Sequence, residues 1–481
     1  MKKIIILTLL TMFFNRTLAT GEPSTYFNIF VPPNNDAVGR NVCLIITAIY
    51  DSTAFSIVDD GMDGDTDDSK TGVLMAGQSY ILYIKDNGIN DDASGASTGI
   101  LKQDGDYFII TSDKLVFASQ STDSDWQHDW LPSVNKKSIG EKFLIYAPKI
   151  TSSLRDINVF AYSDSTLVKI KKISTISMIT SGYTSVSINS PTTVATFYLS
   201  IGEDIIYKYA HGRNVLKTGE TYLIESNKPV TVQYGALLVN ERDGGGYVPS
   251  SNGSSAGELF YFGVPYQAVG EQEIRIVSWD IANTVILERY SSGSWITMNT
   301  WNLNHFQPAY WVGKSNGNVS YPTVFRVKCS PGKKVSIFEG NWFETGSPGT
   351  SDMATMVSSD NGTCSGKNFL VYMAPPGNEQ NVLNPFTNQK FNQRLTHIYL
   401  FAKKTTTVTV KDSYTNGSKI TKTFTIQPDR YVDCFLTETE WKNIYNGTGT
   451  TAGGPERPYL TVTSNEDISL MNSNFNDNWM M

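Results

Sequence analysis

Phe27-Asn-Ile-Phe-Val-Pro32 is an aromatic-led apolar strand that closes on a proline, and the chain writes it four times. It returns as Phe143-Leu-Ile-Tyr-Ala-Pro148, as Phe260-Tyr-Phe-Gly-Val-Pro265 and as Phe369-Leu-Val-Tyr-Met-Ala-Pro375. Proline has no N–H to give to a ladder, so it suits a strand's end. A Gly-x-x-Phe lead-in opens the last three, from Gly140, Gly257 and Gly366.

Two further landmarks follow each of these strands in the same order. The first reads as a hairpin: apolar runs flank Asp51-Ser52-Thr53, Asp164-Ser165-Thr166, Asn283-Thr284 and Thr405, and apolar runs joined by Asp, Asn and Ser carry the hairpin pattern. The second reads as another hairpin around a Ser-x-Lys type of turn, in Tyr107 to Val116, Tyr222 to Val230, Phe325 to Val335 and Tyr459 to Ile468. A polar segment closes each set, from Ser121, Asn240, Asn341 and Asn472. Ordered self-similarity of this kind marks a repeat protein. The expected repeats are residues 22–137, 138–255, 256–363 and 364–481, each with six to eight short strands.

Tyr, Phe, Thr, Val and Ile are plentiful and no long helical apolar period appears, so the fold class is all-β, built of antiparallel meanders. Each repeat divides into two halves about the size of a four-stranded propeller blade, which favours a propeller-like closed array. Tandem β-sandwiches are the alternative.

The N-terminus reads as a secretory signal peptide. Lys2 and Lys3 precede an apolar run from Ile4 to Phe14, and Thr17-Leu18-Ala19 places small residues before a cut after Ala19. That run is too short for a permanent span, and no later stretch approaches the length a spanning helix needs. Cleavage would remove three basic residues and no acidic one, taking the formal charge from −7 to −10. A chain this acidic is not expected to bind nucleic acid, which calls for a basic surface.

Four cysteines in an exported chain permit two disulfides. Cys329 with Cys364 is expected as a local bridge, and Cys43 with Cys434 as a staple from first repeat to last, which needs Cα atoms within about 7 Å. Unpaired buried thiols are the alternative for the second pair. No CxxC occurs, so zinc and dithiol chemistry are not expected.

Two clusters carry the candidate chemistry. Asp63, Asp65 and Asp67, with Asp68 adjoining, alternate along one acidic segment, as oxygen ligands for calcium do. No glutamate stands at the twelfth position of an EF-hand-like loop, and a solvated acidic turn is the competing reading. A second acidic segment runs from Asp86 to Asp92. Asp125, Trp126, His128, Asp129 and Trp130 form the densest ligand-like cluster, with tryptophans able to stack on a sugar or anchor a protein. The competing reading is a structural loop that seals one repeat against the next, since Asp477 and Trp479 stand in the corresponding segment of the fourth. The four histidines form no i, i+4 metal pair, and no nucleophile elbow or phosphate-binding glycine loop is present, so no enzyme is expected.

Ser226-Asn-Lys-Pro-Val-Thr-Val232, and the passage from Asp113 through Trp130, Leu131-Pro132 and Gly140 to Phe143, carry a resemblance. Over most of residues 25–470 the chain resembles the N-terminal domain family of IgG-Fc-binding proteins. The resemblance implies an extracellular adhesive or binding role. Cysteines are few, so binding of immunoglobulin itself is not carried over, and the family has no catalytic residues to transfer. The expectation is a secreted binding or adhesion module for an extracellular protein or glycan, contacting it through long loops of one face. A secreted carbohydrate-active enzyme and a structural matrix component are the rivals.

Overall fold

The computed structural model describes residues 23–31, 42–59, 68–84, 106–122, 128–130, 139–146, 156–179, 182–201, 220–235, 246–248, 256–264, 271–313, 323–343, 355–356, 365–372, 382–383, 390–391, 396–412, 421–436, 440 and 459–474. Its regular elements are all β-strands, in antiparallel pairs.

The first repeat holds β1 (Ser24–Val31), β2 (Val42–Ala48), β3 (Thr53–Asp59), β4 (Lys70–Leu74), β5 (Ser79–Ile84), β6 (Asp106–Thr122) and β7 (His128–Trp130). The 17 residues of β6 serve two sheets. Its first half pairs with β1 and β3, and its second half with β2 and β7. The result is one four-stranded layer in the order β1-β6-β3-β4 and another in the order β5-β2-β6-β7. Phe27, Phe55 and Phe108 of the first layer share a buried core with Leu44, Ile46 and Ala118 of the second. Burial alternates strictly along β3, the period-two signature of a strand with one face on a core.

The same plan recurs. The second repeat holds β8 (Gly140–Tyr146), β9 (Asp156–Ala161), β10 (Thr166–Ile179), β11 (Gly182–Leu199), β12 (Glu220–Gly235) and β13 (Gly246–Val248). Here β12 threads both layers, pairing with β8 and β10, then with β9 and β13. The third repeat holds β14 (Leu259–Val264), β15 (Glu271–Ser278), β16 (Asn283–Ser291), β17 (Ser294–Leu303), β18 (Pro308–Gly313), β19 (Thr323–Cys329), β20 (Val335–Phe343) and β21 (Thr355–Met356). The fourth holds β22 (Ser365–Tyr372), β23 (Val382–Leu383), β24 (Lys390–Phe391), β25 (Thr396–Ala402), β26 (Thr406–Asp412), β27 (Thr421–Ile426), β28 (Arg430–Phe435) and β29 (Tyr459–Asn474), with β29 as the threading strand. In the third repeat that strand is cut into β19 and β20 at Ser330–Lys334, so its layers count as two sheets. Four repeats therefore give five sheets of four or more strands, plus the β23–β24 pair.

Both expected hairpin landmarks are corrected. In every repeat the strands flanking the first turn lie in different layers: β2 pairs with β5 and β6, whereas β3 pairs with β4 and β6. The turn is an arch between layers. The two sides of the Ser-x-Lys segment of repeat one do not pair with each other either; β6 passes there from one layer to the other. A polar turn satisfies its backbone equally well in an arch and in a hairpin, so composition alone does not separate them.

The array is propeller-like in that successive small sheets stack face on face. Residues Leu44–Ala48, Ile274–Ser278 and Ile398–Ala402 are buried without interruption, as in strands covered on both faces. Two joints between repeats are built from equivalent positions. Between the third and fourth, Tyr261 stacks on Phe401 at 5.4 Å and donates to Asp429 Oδ1 at 2.6 Å. Gly263 faces the ring of buried Tyr399. Between the first and second, Tyr107 meets Phe160 at 5.2 Å and Tyr162 Oη donates to Asn28 O at 3.3 Å. Asn28 and Tyr261 each follow the leading phenylalanine, and Phe160 and Phe401 each precede a buried alanine. The two joints thus draw on matching strand positions, though through different partners.

The third–fourth joint also buries charge. Arg326 Nε donates to Glu288 Oε2 at 2.6 Å across the β16–β19 ladder, and Lys328 Nζ lies 2.9 Å from Glu288 Oε1. The Arg326 guanidinium sits 4.5 Å from the Trp295 ring centroid and 3.5 Å from Asp429 Oδ2. Burial works against its charge, but Glu288 and Tyr261 outweigh that and hold it more firmly protonated.

The expected disulfides are also corrected: Cys329 and Cys434 are free thiols. Cys329 Sγ lies 2.9 Å from Lys333 O, in the turn that severs the third repeat's threading strand. Cys434 is packed into the fourth repeat's core, while Cys43 lies in β2 of the first. The side chains of Cys43 and Cys364 lie outside the described residues.

Candidate functional site

Each two-layer repeat has two unlike ends. At one end of the first repeat, short turns at 49–52 and 75–78 meet the bend of β6. Asp113 Oδ1 accepts from Ala54 N at 2.8 Å, and Lys114 Nζ donates to Asp51 O at 2.6 Å and Ser52 O at 3.1 Å. Asp51 Oδ1 accepts from Ala76 N at 3.0 Å, tying the third element in. Ser52 takes a φ of 53°, the left-handed conformation short polar residues tolerate.

The other repeats copy this clasp. Asn227 Oδ1 accepts from Leu167 N at 2.7 Å and Lys228 Nζ donates to Asp164 O. Lys333 Nζ donates to Ile281 O at 2.7 Å and Ala282 O at 2.6 Å. In the fourth repeat the charges are exchanged: Glu466 stands in the lysine's place and lies 3.5 Å from Lys404 of the arch. These lysines bond carbonyl oxygens of their own repeat, so this end is closed on itself.

The candidate residues follow or precede strand termini remote from the first repeat's clasp. Val31 and Asp59 flank the start of β6, and Ile84 and Thr122 flank the start of β2, both away from the arch and the β6 bend. Asp63, Asp65 and Asp67 fall between β3 and β4, the second acidic segment between β5 and β6, and Asp125 and Trp126 between β6 and β7; all lie outside the described residues. His128, Asp129 and Trp130 form β7, whose backbone pairs with Ser121, Gln120 and Ser119. The proposed metal segment thus leaves from the end of β3, and the proposed ligand segment from the end of β6, each remote from the clasp.

The described flanks of the proposed metal segment are acidic. Asp59 faces inward at 4% exposure, and its backbone N–H donates to Ser69 Oγ at 3.1 Å. Asp68 is buried at 8% exposure, and burial together with Asp68 pushes the Tyr80 phenol up. Among the described residues no three His, Cys, Asp or Glu side chains converge as a metal cluster.

Sequence reasoning missed one position. The seventh residue of each β3-type strand is ionisable in every repeat: Asp59 and Asp412, which end β3 and β26 and are buried, and Lys172 and Arg289, which are half-buried within β10 and β16. Lys172 Nζ lies 3.2 Å from Glu220, which also accepts from Tyr222 Oη, while Asp59 and Asp412 are nearly inaccessible. The signal was legible as a charge at the seventh place of a period-two strand, where the alternation calls for an apolar residue.

No family model matches the chain, and no curated protein matches it. A solved structure described as an anti-sigma factor domain-containing protein aligns over 70% of this chain and 91% of its own, at 10% identity and a TM-score of 0.14. A likeness that slight carries no argument about fold or function.

Proposed function

We propose that the chain is a secreted binding or adhesion module that takes an extracellular protein or glycan at the open end of its first repeat. The observation that supports this is the asymmetry of the two-layer repeat. One end is closed by turn-to-turn hydrogen bonds, and the segments with candidate ligand-binding or calcium-binding residues leave from strand termini away from that clasp. A rigid layered core that holds connecting segments at one end is a common way to display a contact surface. Trp126 and Trp130 would supply the aromatic contact, with Asp125, His128 and Asp129 as its polar partners. Calcium held by Asp63, Asp65, Asp67 and Asp68 would order the neighbouring segment. The resemblance to the IgG-Fc-binding N-terminal family supports the same class of role.

The test is a glycan and protein array probed with the chain from Thr20 onward, with and without a calcium chelator. Trp126→Ala with Trp130→Ala is expected to abolish the captured signal. Asp63→Asn with Asp65→Asn is expected to weaken it and to remove calcium binding, which for extracellular modules falls at about 10⁻⁴–10⁻³ M. A signal indifferent to the tryptophans rules out this site, and one indifferent to chelation rules out the metal.

A further inference from the structure

We draw no further inference here: the strongest candidate, the outward face of the β22-β29-β26-β27 layer in the fourth repeat, where Thr409 stands between exposed Thr423 and Thr463 on the neighbouring strands, carries nothing because nothing in the structure shows what covers it.

Discussion

Replacing Arg326 by leucine should loosen the third–fourth joint by about 3 kcal/mol, through the partner it abandons rather than the bond it loses. Removing one member of a buried ion pair costs about 3–5 kcal/mol, because the remaining charge is left desolvated. Glu288 is that charge, at 7% exposure, and Lys328 remains 2.9 Å from its other oxygen, which places the cost near the lower end. Loss of the contact over Trp295 adds about 0.5–1 kcal/mol, and leucine packing returns a similar amount. Global denaturation of four repeats need not be two-state, so the assay is native-state hydrogen exchange at the amides of β16 and β19. A 3 kcal/mol loss appears there as roughly a hundredfold fall in protection. Replacing both Glu288 and Arg326 by leucine leaves no orphaned charge and should recover protection to within about 1 kcal/mol of wild type. If the double variant exchanges as fast as Arg326→Leu, the reasoning fails, and the pair matters for its own attraction or shape.

Further outcomes follow from packing and from the thiols. Gly263→Ala would set a Cβ 2.6 Å from the Tyr399 ring, which is buried at 1% exposure and closed in by the joint. It should cost about 1–3 kcal/mol, read as a lowered thermal midpoint; an unchanged midpoint would mean that the two repeats separate freely at Gly263. Burial pushes the Cys329 and Cys434 thiols up to about 12 from the ordinary 9.0. The thiolate is the reactive form, so neither should be alkylated in mildly alkaline solution until the chain unfolds, as peptide mass spectrometry would show. The folded state holds these protons more tightly, so their contribution is intact below pH 9 and is lost as pH rises toward 12, which thermal scans across that range would register. Alkylation of the native protein at either position would contradict the packing described.

The repeats were legible because their landmarks depend on local chemistry. Phe27-to-Pro32 and its three echoes mark β1, β8, β14 and β22, since an aromatic strand ending on proline leaves the same trace wherever it is used. What the landmarks pair with was not legible. Asp51-Ser52 and Asp164-Ser165 read as hairpin turns, yet they cross between layers, because arch and hairpin both ask for left-handed or polar residues. Ser112-Asp113-Lys114 read as a reversal, but its side chains bond the arch opposite and the strand continues. At the candidate site, the acidic and tryptophan-bearing segments are visible as composition, whereas the strand termini they leave from follow only from long-range register, which no local pattern encodes. Asp59 and Asp412 carry no unequivocal local sign of burial, since a polar residue at a strand's end also suits the start of a turn. Each is the strand's last inward position.

The divided strand of the third repeat bears on how the molecule would behave under tension. In the other repeats, sliding one layer along the other strips ladder bonds on both sides of a single uninterrupted strand. In the third, Ser330–Lys334 stands between the layers, with Gly332 at a φ of 75°, and is tied to the arch by Lys333 Nζ and by Lys334 N, which donates to Asp280 Oδ2 at 2.7 Å. A pull along the chain would therefore load these turn-to-turn bonds at the seam, where the other repeats carry the load through a continuous strand.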